Sequence, residues 1–204
     1  SNWLYVDASA YMLNYRNRIG EIFTTRGDRF RTNVGNSRTL GFELVAEIDL
    51  FSLMKFNEKN GSLSVFGNYS FNHARYVSSD KELFNNTAVG NRIEMVPTFT
   101  FRGGINYKWK NLNCGLQYSR VGEQYTDASN ALGPIPGSHI GLVPEYFVVD
   151  FTAKYTFKKI YTAECSVNNL TNNLYFTRRA EGYPGPGILP SDPRLFYLTL
   201  GVKI

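Results

Sequence analysis

Apolar and polar residues alternate with a period of two along most of this chain, the spacing that sends successive side chains to opposite faces of a β-strand. Over Thr98–Trp109 one face reads Phe99, Phe101, Gly103, Ile105, Tyr107 and Trp109, and the other Thr98, Thr100, Arg102, Gly104, Asn106 and Lys108. Tyr146–Phe157 repeats the pattern, with Phe147, Val149, Phe151, Ala153, Tyr155 and Phe157 opposed to Tyr146, Val148, Asp150, Thr152, Lys154 and Thr156. At the end of the chain Phe196, Leu198, Leu200, Val202 and Ile204 alternate with Tyr197, Thr199, Gly201 and Lys203. Five further runs, Leu4–Leu13, Thr39–Leu50, Ser62–Asn72, Leu112–Ser119 and Tyr161–Asn168, bring the prediction to eight strands. No helical period of comparable length competes with them.

The connections alternate in length. Phe51–Gly61, Lys110–Asn111 and Lys158–Ile160 are short, whereas Arg16–Arg38, Val77–Val96, Val121–Glu145 and Leu170–Arg194 are long and rich in Gly, Asn, Asp, Ser and Pro. The longest strands exceed the usual length of about five or six residues and match a bilayer crossing of about nine to eleven. Aromatic residues gather at strand ends: Trp3, Tyr5, Tyr107, Trp109, Phe157 and Tyr161 toward one rim, and Phe71, Tyr76, Tyr118, Tyr125, Tyr146 and Phe147 toward the other. Long loops on one rim, tight turns on the other and aromatic girdles predict an all-β chain forming an antiparallel transmembrane β-barrel wall. A soluble β-sandwich shares the alternation but requires none of these three features.

Composition changes this picture little. The 204 residues are 43% apolar, and no apolar run approaches the roughly 18 residues of a membrane helix. The mean hydropathy of -0.29 suits strands that show lipid only every second residue. The opening Ser1-Asn2-Trp3 has neither a basic nor an apolar leader segment, so the expectation is a processed chain or a segment of a larger one. Cys114 and Cys165 fall on the apolar faces of the fifth and seventh strands, about 9.6 Å apart, beyond disulfide reach. No nucleophile elbow, zinc-protease helix or phosphate loop is present, so no catalytic residue, metal site or cofactor is expected. Glu43 and Glu47 share one strand face as solvated charge.

The net charge of +5 is too small to predict nucleic-acid binding, but its distribution is informative. Twelve of thirteen arginines fall toward the long-loop rim, and seven of nine lysines, Lys55, Lys59, Lys108, Lys110, Lys158, Lys159 and Lys203, toward the other. The first long connection alone carries six arginines against Glu21 and Asp28. Guanidinium forks bind carboxylates and phosphates bidentately, so this rim is expected to meet an anionic ligand or lipopolysaccharide phosphates.

Four stretches, Asn33-Val-Gly-Asn-Ser-Arg-Thr-Leu-Gly41-Phe-Glu43-Leu, Gly90-Asn-Arg-Ile-Glu-Met-Val-Pro97, Tyr125-Thr-Asp127-Ala-Ser-Asn130 and Val167-Asn-Asn169-Leu-Thr-Asn172-Asn-Leu-Tyr175, occur in an order that resembles the C-terminal part of TonB-dependent outer-membrane receptors. Phe176-Thr-Arg-Arg179-Ala-Glu-Gly182-Tyr-Pro-Gly-Pro-Gly187-Ile-Leu-Pro190 resembles the ferric citrate receptor branch. The resemblance implies residues 1–204 as the C-terminal, eight-strand portion of a barrel of about 22 strands, with the plug domain and TonB box absent from this chain. It further implies outer-membrane localisation, no enzymatic activity, import of a ferric chelate of the citrate class, contact with outer-membrane lipid and lipopolysaccharide, and coupling to TonB through segments absent here. The ending Leu200-Gly-Val-Lys-Ile204 departs from the family's aromatic terminus. For the substrate, the expected contacts are Arg178 and Arg179 in the last long loop, Arg92 and Gln124 at the mouths of others, and Tyr183 packing on the chelate. His73 and His139 are not expected to ligate iron, since in this family the metal arrives chelated.

The rival readings are an oligosaccharide or peptide importer of the same superfamily, a structural barrel of eight strands closed on itself, and a soluble binding sandwich. Strand closure separates the second from the first: Trp3–Leu13 paired with Leu195–Ile204 means a small barrel, and two open edges mean part of a larger wall.

Overall fold

A computed structural model describes residues 3–23, 29–78, 88–133, 140–180 and 187–203. Twelve strands follow one another: β1 (Leu4–Phe23), β2 (Arg29–Asp49), β3 (Ser62–Ser78), β4 (Phe99–Trp109), β5 (Leu112–Val121), β6 (Gln124–Tyr125), β7 (Leu142–Val143), β8 (Tyr146–Phe157), β9 (Tyr161–Asn168), β10 (Phe176–Ala180), β11 (Gly187–Pro190) and β12 (Leu195–Val202). The eight expected strands form a single antiparallel sheet in the order β1-β2-β3-β4-β5-β8-β9-β12. Among the described residues β1 and β12 pair only inward, with β2 and β9, so the eight strands do not close on themselves. Ile204 lies outside the described residues.

Register sorts the side chains into two faces. Directly opposed residues share a face, and one such row runs Ile48, Val65, Ile105, Leu116, Phe151, Val167, Phe196 across seven strands. The adjoining row on the opposite face reads Glu47, Phe66, Gly104, Gln117, Asp150. Cys114, Ala153 and Cys165 stand in one apolar row, so β8 separates the two free cysteines as the spacing predicts.

The apolar face is uncovered. Phe196 is 71% exposed, Leu198 73% and Leu200 75%, and Ile105, Leu116, Phe42 and Leu40 are exposed as well. A β-sandwich buries such a face against a second sheet about 10 Å away, and among the described residues no second sheet covers it. An apolar surface this continuous needs a nonaqueous environment. Its ends are aromatic: Tyr107, Trp109, Phe157 and Tyr161 at the tight-turn end, and Tyr69, Phe99, Phe101, Tyr118 and Phe147 toward the other, where Tyr118 stacks on Phe147 at 5.8 Å. Tyr5, Tyr76 and Tyr146, expected in these girdles, instead occupy the polar face, because each sits one residue out of phase with the apolar rows.

Two features depart from the predicted boundaries. The connection Arg16–Arg38 is largely strand: β1 and β2 stay paired to Phe23 opposite Arg29. Register shifts between Tyr15, Arg18 and Ile19, with Asn17 at φ 52 and Gly35 at φ 120, break the phase of the alternation, so the period-two signal is lost where the ladder is not. Leu50 belongs to a one-turn helix, α1 (Leu50–Leu53), rather than to β2. Asp49 caps that helix, accepting from the Ser52 amide at 3.0 Å and from the Ser52 hydroxyl at 2.8 Å.

Close strand packing depends on Gly104. A Cβ there would lie 2.5 Å from the backbone oxygen of Leu116 and 2.8 Å from the Phe66 ring, which lies across the glycine. At Gly115 the nearest atom, 3.2 Å away, is the terminal oxygen of the Asn106 side chain, which can move. Gly104→Ala is therefore expected to cost about 1–3 kcal/mol in urea unfolding of the membrane-reconstituted protein, with Gly115→Ala costing clearly less; equal costs would contradict this packing.

Candidate functional site

At the long-loop end the polar face is no longer open. Ser37, Thr39, Ala74 and Tyr76, all on that face of β2 and β3, are buried. Residues 90–93 pair antiparallel with the end of β3: Gly90 N–H donates to Tyr76 O at 2.9 Å, Tyr76 N–H to Asn91 O at 3.0 Å and Ile93 N–H to Ala74 O at 3.1 Å. This brings Ile93, Val96 and Ala128 onto Val34, Ala74 and Tyr76, a buried apolar cluster at the rim of the sheet. The Tyr76 hydroxyl donates to Glu94 Oε2 at 2.6 Å, and Arg18 Nε lies 4.0 Å from Glu94 Oε1. Burial, and then the Glu94 carboxylate, push the Tyr76 phenol well above its ordinary range.

The motifs noted in the sequence staple these rim segments together. Asn130 brackets the backbone of Arg92, its Oδ1 accepting from Arg92 N–H at 2.7 Å and its Nδ2 donating to Arg92 O at 2.9 Å. Asn91 Nδ2 donates to Ala128 O at 2.9 Å, and the buried Asp127 carboxylate accepts from the Ser129 amide at 2.8 Å. Asn169, 3% exposed, donates from its backbone to Asp150 Oδ1 at 2.9 Å and from Nδ2 to Asn173 O at 2.9 Å and Asp192 O at 3.3 Å. It ties the end of β9 to β8 and to the approach of β12.

Three of the five residues expected to contact substrate gather around the small β6–β7 hairpin. Gln124, 8% exposed, pairs with Val143. Arg179 Nη2 donates to Leu142 O at 3.1 Å, and its guanidinium lies over the Phe176 ring at 5.3 Å. Arg92 lies over Tyr125 at 5.1 Å and is neutralised by Glu123, with Nη1 2.8 Å from Oε1. Arg178 stands on β10 opposite Leu189 and is exposed to solvent. Tyr183 and His139 lie outside the described residues.

Sequence reasoning missed a cavity of about 420 Å³ on the polar face at the foot of the β10–β11 hairpin, lined among others by Asp150, Asn168, Tyr175, Asp192 and Tyr197. Tyr175 stacks on Tyr146 at 4.6 Å beside it. Its lining comes from β8, β9, the end of β11, β12 and the loops between them, so no local spacing announces it. The groups it presents are hydroxyls, amides and carboxylates, complementary to hydroxyl-rich or cationic moieties and not to a polyanion.

A family model described as TonB dependent receptor-like, β-barrel, matches residues 1–170. Comparison with curated proteins gives no match. Among solved structures the fold is similar to the ferric citrate transporter FecA in its unliganded form, with a TM-score of 0.80 at 20% identity over 98% of this chain and 29% of that one. It is also similar to the siderophore receptor PiuA from Acinetobacter baumannii (TM-score 0.70, 21% identity, 98% and 26% covered) and to the ferric yersiniabactin uptake receptor FyuA from Yersinia pestis (0.71, 16%, 99% and 28%). The chain thus spans less than a third of the length of these proteins, and at such identities the likeness is one of fold.

Asn130→Ala removes both bonds to Arg92 and leaves its backbone groups unpaired, a local cost of about 1–3 kcal/mol. The expected result is faster amide hydrogen exchange across residues 88–98 with the β4–β5 ladder unchanged; unaltered exchange there would show that Asn130 does not hold the segment.

Proposed function

Because this chain belongs to the TonB-dependent receptor β-barrel family, we propose that it forms wall and outer loops of an outer-membrane importer of a ferric chelate of the citrate class. The observation that carries this reading is the placement of arginines on the long-loop rim, with Arg178 solvent-exposed on β10 beside Arg179, and Arg179 itself held against β7. Ferric citrate is a polyanion, and guanidinium forks bind its carboxylates bidentately. The likeness of fold to a ferric citrate transporter, a siderophore receptor and a ferric yersiniabactin uptake receptor supports the same reading.

In this account the rim arginines attract and orient the chelate. Arg178 donates to it directly, while Arg92 and Gln124 keep the β6–β7 mouth in shape. Residues 1–204 are the C-terminal portion of a larger barrel; the plug and the TonB contact, which couple release to energy, belong to segments outside this chain. A second reading, import of an oligosaccharide, is favoured by the tyrosine-lined cavity beneath the β10–β11 hairpin, whose polar groups suit sugar hydroxyls.

Titration of the full receptor with ferric citrate separates the two. Arg178→Ala combined with Arg179→Ala is expected to weaken binding about tenfold or more, the loss of charge-assisted hydrogen bonds. Unchanged affinity would sink the chelate site, and binding of an oligosaccharide lost on Tyr175→Ala would favour the second reading.

A further inference from the structure

One arginine of the thirteen does not sit among the rim segments. Arg102 stands on the polar face of β4, three residues inside the strand end at Phe99, about 10 Å along the strand. Directly opposite it are Asn68 on β3 and Ser119 on β5, and its diagonal neighbours are Ser70 and Phe66 on one side and Val121 and Gln117 on the other. None of these carries a charge. A cross-strand carboxylate is the ordinary partner of a cation in a sheet, yet the acids of the adjoining rows, Glu43, Glu47 and Asp150, each lie two strands away.

The rim arginines differ. Arg18, Arg92 and Arg120 face Glu94, Glu123 and Glu145, and Arg179 is bound to Leu142 O. Arg102 is exposed and, among the described residues, has no ion pair, hydrogen bond or ring partner. Since the other face of the sheet meets lipid, its guanidinium belongs to the barrel interior, with the whole donor fork open to a group the wall does not supply.

The wall just beneath it is hollowed. One row further in, the Phe66 ring lies across Gly104, and beside it Gly115 leaves a depression of about 210 Å³ lined by Asn106, Gln117, Thr152 and Asp150 among others. Gln117 is both a diagonal neighbour of Arg102 and part of this lining, so cation and hollow adjoin. Side-chain amides and a hydroxyl donate to carboxylate oxygens, and the carboxylate of the lining, Asp150, is engaged by the Asn169 amide at 2.9 Å. A cation above a hollow of neutral donors fits an anion with a body of its own, one charged arm on the guanidinium and the remainder below it.

We propose that Arg102 and the hollow over Gly115 form an interior subsite that binds a carboxylate arm of the anionic chelate once it has passed the rim. Arg–carboxylate pairing is bidentate and charge-assisted, and no neighbouring acid competes for the fork. The subsite rests on the reading of the receptor as an importer of a carboxylate chelate and adds to it a discriminating contact inside the lumen.

The test titrates the full receptor in detergent micelles with ferric citrate by isothermal calorimetry. Arg102→Gln is expected to weaken binding about tenfold and to flatten its dependence on salt. Arg102→Lys is expected to recover part of that loss, and Gly115→Leu, which fills the hollow, to weaken binding with the guanidinium still in place. Lys158→Gln at the opposite rim changes nothing, and heat-modifiable migration checks that each variant is folded. Unchanged affinity in Arg102→Gln or in Gly115→Leu would overturn the subsite and leave the chelate reading standing, whereas a wild-type receptor that does not bind ferric citrate would overturn both. Unchanged affinity in Arg102→Gln together with easier proteolysis of the plug domain would also overturn the subsite, marking the arginine as the partner of a protein carboxylate.

Discussion

Cross-strand register is the constraint on which the rest of this structure depends. A slip of one residue in any of the seven pairings would carry that strand's apolar set to the polar face. The apolar surface from Leu4 to Val202 exists only because the pairings are held in phase, so that rows such as Val65–Ile105–Leu116–Phe151 run unbroken. Backbone hydrogen bonds supply the ladder, and in lipid they have no competitor, since an unpaired amide or carbonyl there has no water to turn to. The same argument makes the open edges at β1 and β12 meaningful: a sheet of this kind is complete only when its edges are paired.

What happens at the rim follows from where the apolar face ends. Below the row of Asn14, Arg38 and Arg75, side-chain phase alone decides what each residue meets. Above it both faces are polar, and order comes from specific contacts: asparagine side chains that bracket backbone groups, a tyrosine–glutamate bond inside a small apolar cluster, and arginines bound to carbonyls and rings. Three of the four resemblance motifs, those that contain Arg92, Asn130 and Asn169, lie at this rim, whereas the first runs on into the alternating part of β2 at Gly41–Leu44. Asn130 and Asn169 are staples, and their chemistry serves loop geometry, which in turn sets where Arg178 and the tyrosine-lined cavity lie.

The strands were legible because one period governs them all, and all eight, their order and their faces follow from it. The extended β1–β2 hairpin was not legible, since the shifts around Asn17 and Gly35 put its outer half out of phase with its inner half. Tyr5, Tyr76 and Tyr146 were misassigned for a related reason: proximity to a strand end says nothing about the face, which only counting in twos reveals. Of the candidate site, the sequence told that arginines crowd one rim. It did not tell that Arg92 is neutralised by Glu123, thirty-one residues away, or that Asp150, Tyr175 and Asp192 share a cavity, because such meetings depend on how loops fold over the sheet.

The central claim is that one face of the sheet meets lipid and the other an aqueous interior. Single cysteines placed in turn from Leu112 to Val121 on β5, in a background with Cys114 and Cys165 replaced by Ala, test it directly in the membrane-embedded protein. The account predicts that a membrane-impermeant thiol reagent labels Asn113, Gly115, Gln117 and Ser119 positions, while Leu112, Cys114, Leu116 and Tyr118 positions are protected and respond to a lipid-borne quencher. Uniform labelling, or the opposite phase, would contradict it.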